Sequence, residues 1–334
     1  MAVVRNLPAL VREQFKVAQQ TGDLTFYTTR VAILHCEGLP FQLRFSQALA
    51  SKPKPSKPKS PTSKPFDPFD DPPLGLLITA LPPAHILVLN KFPVIPDHFI
   101  LATKGFKQQT DLLEREDLQA AYACLNAYKE KGEKLFGFFN SGEHSGASQP
   151  HRHLQFLPVE TMRSGIETGS EWSVLADALV KDPKPALPFL YFSAMIPESP
   201  KAEDLHQIYL DLHSQACRAV GISGIASEGP ETESSPISYN LGLTDRAIVL
   251  CPRTSEGLNI KNNAGESIGP VTLNGTIVGG TLLVKSEKEW DALRNDESKL
   301  ADILKAIGIP PPPEYEGRLS TDFLQYQTAA SFYD

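Results

Sequence analysis

Cysteine is scarce: four residues among 334, with no C-x-x-C pair. Cys36, Cys124, Cys217 and Cys251 are too scattered for a disulfide framework or a cysteine-built metal site. They fit buried free thiols in a reducing compartment, which makes the cytoplasm the expected location and leaves nuclear entry open. Long apolar runs are missing as well. The longest, Leu74 to Leu89, is broken by Pro82 and Pro83 and is too short to span a bilayer. The start, Met1 to Pro8, lacks the continuous apolar core and small-residue cleavage site of a secretory leader. Positive charge is short: 32 Lys and Arg face 39 Asp and Glu, a net −7. That balance argues against a broad nucleic-acid or membrane-binding surface and leaves room for a local basic pocket around a small polyanion. At 41% hydrophobic and 21% charged, the chain can still bury a core of one large or two ordinary domains.

The pattern along the chain is β-rich with interspersed helices. An amphipathic helix is expected over Leu10 to Gln20, ended by Thr21-Gly22-Asp23. Strands follow at Thr25 to Leu34 and Phe41 to Phe45. Residues 52–73 break the composition: Lys52, Lys54, Lys57, Lys59 and Lys64 alternate with eight prolines, which predicts a mobile, largely solvated loop. His85 to Asn90 and His98 to Ala102 read as a hairpin around Lys91 to Asp97, and Arg115 to Lys131 as a long helix. Leu135 to Phe139 enters a small-residue loop, Ser141 to Pro150, and Leu154 to Pro158 leaves it as a strand. Later, Phe189 to Met195 reads as strand, Ala202 to Val220 as helix, and Tyr239 to Leu243 with Ala247 to Pro252 as paired strands. Asn274-Gly275-Thr276 precedes a strand ending near Lys285, and Ser286 with Glu289 forms a capping box for a helix reaching about Ile307.

The chemistry concentrates at His151-Arg152-His153-Leu154-Gln155. In an extended strand alternate residues share a face, so His151, His153 and Gln155 would project together. Spacing alone admits three readings: a nucleophilic imidazole beside a loop of free amides, a zinc site, or a structural pair. Zinc lacks a third ligand in the run, because Gln155 is a poor one and the strand contains no acidic residue.

Further stretches narrow the choice. Asn140, then Ser148-Gln149-x-His151-x-His153-x-Gln155, resembles the histidine-triad superfamily in its Gln variant, the nucleotidyltransferase branch. Asn90 to Phe99, Tyr239-Asn240 with Cys251-Pro252-Arg253, and Asn274 to Lys285 resemble the fungal diadenosine tetraphosphate phosphorylases (ATP adenylyltransferases). Galactose-1-phosphate uridylyltransferases, in the same branch, usually carry Pro where this chain has Arg152.

The resemblance implies an α+β fold of antiparallel sheets and packed helices in two unequal histidine-triad-like halves, 1–170 and 171–334. It implies an adenylyl-histidine intermediate on His153, supported by His151, with transfer from diadenosine tetraphosphate to phosphate giving ATP and ADP. Gln155 would donate an N–H to phosphate oxygens but cannot protonate a leaving group, which suits transfer better than hydrolysis. The implied nucleotide and phosphate contacts are Lys52, Asn90, Lys91, Asn140, Gly146, Ala147, Ser148, Gln149, Asn274, Gly275, Thr276, Thr281 and Lys285. Thr281 departs from the larger side chain, such as Met, expected there, and Arg253 is a candidate for either a phosphate or a carboxylate. No covalent cofactor is implied, though Mg²⁺ can accompany the polyphosphate. Expected partners are small nucleotides, including AMP, and phosphate, with neither nucleic acid nor membrane, on a monomer. Sharing the same intermediate, adenylyl transfer between ADP and sulfate and exchange of ADP with phosphate are enzymatic alternatives. A non-catalytic dinucleoside-polyphosphate binder is the third.

Overall fold

In the computed structural model, residues 6–48, 66–222, 234–262 and 264–311 are described. Their elements run α1 (Leu7–Thr21), β1 (Arg30–Cys36), β2 (Leu39–Phe45), β3 (Leu77–Leu81), β4 (His85–Leu89), β5 (Phe99–Thr103) and α2 (Arg115–Lys129). Next come β6 (Leu135–Ser141), β7 (His153–Pro158), α3 (Val159–Met162), α4 (Leu175–Ala178), β8 (Phe192–Met195) and α5 (Ala202–Ala219). The chain continues through β9 (Ser238–Leu243), β10 (Ala247–Arg253), β11 (Gly257–Lys261), β12 (Ser267–Thr272), β13 (Thr281–Val284), α6 (Glu287–Asn295) and α7 (Ser298–Ile307).

Eight strands form one sheet in the order β3-β4-β5-β7-β6-β9-β10-β8, antiparallel throughout. The first half of the chain meets the second inside that sheet, where β6 pairs with β9 from Gly137↔Leu243 to Ser141↔Tyr239. A smaller sheet, β1-β2-β13, has β13 parallel to β2, so a late strand completes an early hairpin. β11 and β12 form a separate hairpin.

Local sequence accounts for most of these elements. In α1 the buried Leu7, Val11, Phe15 and Ala18 lie on one stripe, and Gly22 ends the helix in a left-handed conformation with φ 80°. Glu114 and Asp117 make a capping box on α2, and Ser286 with Glu289 makes the expected one on α6. The first strand begins at Arg30 rather than Thr25. The amides of Thr25 and Tyr27 donate instead to the carbonyls of Lys91 and Pro93, so the stretch is extended without joining a ladder. Similarly, β8 starts at Phe192, because Phe189 turns into the core at 2% exposure. β3 was not anticipated; it comes from the run that Pro82 and Pro83 interrupt, and the prolines form the turn between β3 and β4.

Both faces of the large sheet are covered. On one, Leu87, Leu101, Leu154, Phe156 and Leu241 pack with α1, α2 and α5. On the other, Phe136, Phe138, Leu157, Val249 and Cys251 pack with the small sheet and α7. Phe69 lies beside that second cluster, with Ile86, Val88 and Ala102 of β4 and β5. Residues 67–69 thus depart from the expected solvated loop, while Phe66, Asp70, Asp71 and Pro73 are exposed as expected. Burying Phe69 to 5% exposure contributes about 1.5–3 kcal/mol, enough to hold a short turn against the sheet.

Candidate active site

His153 opens β7, and His151 precedes it in an isolated bridge to Gln108. Alternation holds across the run. Arg152, 1% exposed, points to the opposite face, where it meets Glu114 at 2.9 Å and Asp117 at 2.8 Å. His151 and His153 share the other face, and Phe69 packs on both rings at centroid distances of 5.5 and 5.1 Å.

Hydrogen bonds fix the protons of these rings. His153 Nδ1 lies 2.8 Å from the carbonyl of His151. A carbonyl can only accept, so Nδ1 carries the proton and the lone pair is on Nε2. Burial pushes the His153 imidazole down to about 4, with the His151 carbonyl opposing that shift. His153 is therefore neutral at physiological pH, with its lone pair on Nε2. His151 Nε2 faces the carbonyl of Thr103 at 2.9 Å and so also carries a proton. A zinc pair needs a lone pair from each ring, and the sides of these rings that meet carbonyls are spent as donors.

Gln155 is oriented through β4 and β5. The amide of Phe92 donates to Asn90 Oδ1 at 2.9 Å, which fixes that carboxamide. Asn90 Nδ2 then donates to His98 Nδ1 at 3.0 Å. His98 is left to donate from Nε2 to Gln155 Oε1 at 3.1 Å. The relay ends with the Gln155 NH₂ turned out as a donor beside the His153 strand.

A second network braces the loop after β6. β6 and β7 pair as far as Phe138↔Gln155, and the next rung would join Asn140 to His153. The Gln109 carboxamide occupies that rung instead. Its Oε1 accepts the His153 amide at 2.8 Å, and its Nε2 donates to the carbonyls of Asn140 at 2.8 Å and His153 at 3.2 Å. The strands diverge at this wedge, and the loop from Gly142 to Pro150 fills the opening. Asn140 Oδ1 accepts from Gly275 N–H at 2.7 Å and from Asn240 Nδ2 at 3.0 Å, while Asn240 also donates to the Ser145 carbonyl at 2.9 Å. Arg253, 4% exposed, donates to Asn240 Oδ1 and to the carbonyls of Ser255, Glu256, Leu273 and Ile307. Of the two roles open to Arg253, phosphate contact or carboxylate pairing, its recorded partners match neither; it is a clamp made of neutral acceptors.

The expected contact residues separate into groups. Asn140 and Gly275 are buried and hold each other, and a Cβ on Gly275 would lie 2.7 Å from Asn140 Oδ1. Asn274 caps the 3₁₀ turn Gly275–Gly279 by accepting from the amide and hydroxyl of Thr276. Gly146, at φ 77°, packs against Leu273 and Asn274, and the amide of Ala147 donates to Ser145 Oγ at 3.3 Å. Ser148 is exposed and Gln149 half-buried at the end of the loop. Thr281 is buried, with its hydroxyl 3.4 Å from Gln42 Oε1. Lys91 and Lys285 are exposed at the ends of the β4–β5 turn and β13. Lys52, with Lys54, Lys57, Lys59 and Lys64, lies outside the described residues. Gln109, Thr103, Asp67 and Phe69 were missed by sequence reasoning. Gln109 sits in a polar connection with no motif, and Asp67-Pro68 reads only as a turn signal.

An imidazole with a free Nε2 lone pair on an antiparallel sheet, beside a carboxamide and a braced small-residue loop, is the arrangement of the Gln-variant histidine-triad class. The chain belongs to the family of the Ap4A phosphorylase N-terminal domain, whose model matches residues 2–171, and residues 185–310 match the ATP adenylyltransferase C-terminal domain. It is 28% identical over 335 residues to Protein APA1 of Saccharomyces cerevisiae, covering 93% of this chain and 96% of the yeast protein. Diadenosine 5',5'''-P1,P4-tetraphosphate phosphorylase 2 of the same yeast is also 28% identical, over 92% of this chain and 96% of its own. The crystal structure of yeast Ap4A phosphorylase Apa2 superposes with a TM-score of 0.72 at 25% identity, covering 92% of this chain and 99% of that one.

Proposed function

We propose that this chain is a nucleotidyltransferase that phosphorolyses diadenosine tetraphosphate to ATP and ADP through an adenylyl-histidine. The observation that carries this reading is the His153 ring, whose Nδ1–H is held by the His151 carbonyl and whose buried Nε2 keeps its lone pair. In the first step a bond forms between Nε2 and the α-phosphorus as the bond from that phosphorus to the bridging oxygen breaks, and ATP leaves. In the second, an oxygen of inorganic phosphate attacks the same phosphorus, the N–P bond breaks, and ADP leaves with neutral His153 restored. The covalent phosphoramidate divides one hard displacement into two and keeps the nucleotide activated for transfer.

The Gln155 NH₂ donates to the developing charge on the α-phosphate, aimed by Asn90 and His98. Because an amide cannot deliver a proton, nothing at this position assists departure to water, and phosphate takes the adenylyl group. Ser148, Gln149 and the Gly146 backbone offer donors at the loop's end. Asn140, Asn274, Gly275 and Thr276 keep that loop and the facing 3₁₀ turn in register. Lys91, Lys285 and a lysine of the Lys/Pro segment, with Lys52 the choice, meet the polyphosphate charge; Thr281 supports from the core. The four cysteines are free and buried, and the late strands complete early sheets within one chain, which supports a monomer in a reducing, cytoplasmic setting.

Incubation with diadenosine tetraphosphate, with and without phosphate, tests the reading by nucleotide chromatography. Equal amounts of ATP and ADP, formed only when phosphate is supplied, are expected. Products of water attack, or no turnover with phosphate, would overturn it.

A further inference from the structure

The turn before β3 brings a carboxylate to the histidine strand. Asp67 Oδ2 lies 2.7 Å from His151 Nδ1, and Asp67 Oδ1 accepts the Phe69 amide at 3.0 Å. The Asp67-Pro68-Phe69 turn is thereby closed on itself and pinned to His151. On the other side of the ring, Nε2 faces the Thr103 carbonyl at 2.9 Å and the Thr103 hydroxyl at 3.0 Å. That hydroxyl gives its own hydrogen to the Gly105 carbonyl at 2.8 Å, so it too accepts from Nε2. Every recorded hydrogen-bond partner of the ring is an acceptor. The ring is thus held at both nitrogens, by Asp67 on one side and Thr103 on the other.

We propose that Asp67 is a positioning residue, holding the His151 ring between its carboxylate and Thr103 so that the His151 carbonyl keeps aiming the His153 ring. The backbone link is direct: the carbonyl that receives His153 Nδ1–H belongs to the residue whose ring is fixed at both ends. Without the Asp67 carboxylate the ring would be held at its Thr103 side alone. The ring would rotate away, taking the peptide and the nucleophile's aim with it. Among the described residues, the titratable groups that face His151 are Asp67 from the turn and His153 two residues on. Arg152 is engaged on the opposite face, and Phe69 and Phe106 supply apolar edges at 5.5 and 5.3 Å. The proposal rests on His153 being the nucleophile.

In the full chain, the adenylylation rate of Asp67→Asn in a single turnover without phosphate should fall by roughly ten- to a hundredfold at little change in the substrate concentration needed, as expected for a misaimed nucleophile. Asp67→Glu should recover part of the rate. An Asp67→Asn enzyme with the parent's rate overturns the proposal, even if it melts earlier, as does an Asp67→Glu enzyme that recovers none of the lost rate. Failure of the underlying reading looks different: His153→Ala would still turn over.

Discussion

His153 is neutral in this fold because burial disfavours its cation, and it is directional because one carbonyl takes its Nδ1 proton. Both properties have a pH signature. An unfolded histidine takes up its proton near 6.5, whereas His153 in the fold does so near about 4. Between those values the unfolded chain binds more protons, so this group's contribution to stability is lost as pH falls through that window. The nucleophile, by contrast, keeps its lone pair. Single-turnover adenylylation without phosphate should change by less than about threefold from pH 8 to pH 5 and fall near pH 4. A fall centred near 6.5 would contradict the assignment. Much of this residue-scale logic was legible: H-x-H places a carbonyl two residues before His153, and Gln at the third position marks a donor that is no acid. Asp67 was not legible. It lies at the end of a Lys/Pro stretch whose composition signals solvent, and its partner is far away in sequence.

At the scale of elements, the site depends on where two strands stop pairing. β6 and β7 run together from Leu135↔Pro158 to Phe138↔Gln155, and Gln109 then replaces the next rung with a side-chain amide. The wedge holds the His153 backbone on both its N–H and C=O sides while letting the loop swing out. Gln109→Ala leaves those buried groups without their partner. The expected cost is roughly 1–3 kcal/mol of stability and a drop in adenylylation rate of about a hundredfold. Nucleotide affinity should be less affected, and a parent-like rate in a folded variant would show that the wedge does not position the nucleophile. Strands β4 to β7 and the helices α1, α2 and α5 followed from periodicity and caps because their stabilising contacts are local or one-faced. The wedge did not, since its meaning comes from a strand pairing that sequence spacing does not specify. The early start assigned to β1 failed for a related reason: Thr25 to Thr29 has strand-forming residues, but its amides find carbonyls in the β4–β5 turn rather than a neighbouring strand.

For the whole molecule, the two family-matched regions share one sheet, and the second supplies what holds the first's loop. From the second half, Asn240 of β9 and Gly275 bond to Asn140, Asn240 also bonds to Ser145, and Arg253 of β10 holds Asn240. The chain's net −7 gives no general attraction for a polyanion. The fold class and the order of the matched stretches were legible because they repeat a known arrangement along nearly the entire chain. The parallel closure of β13 on β2 was not, as nothing in either strand names the other. One measurement tests the central claim most directly: incubate the protein with diadenosine tetraphosphate without phosphate, then weigh the protein and its peptides. The account predicts one adenylyl group on the peptide carrying His153, none in His153→Ala, and its release as ADP when phosphate is added. An unmodified His153 peptide under conditions where the enzyme turns over would contradict it.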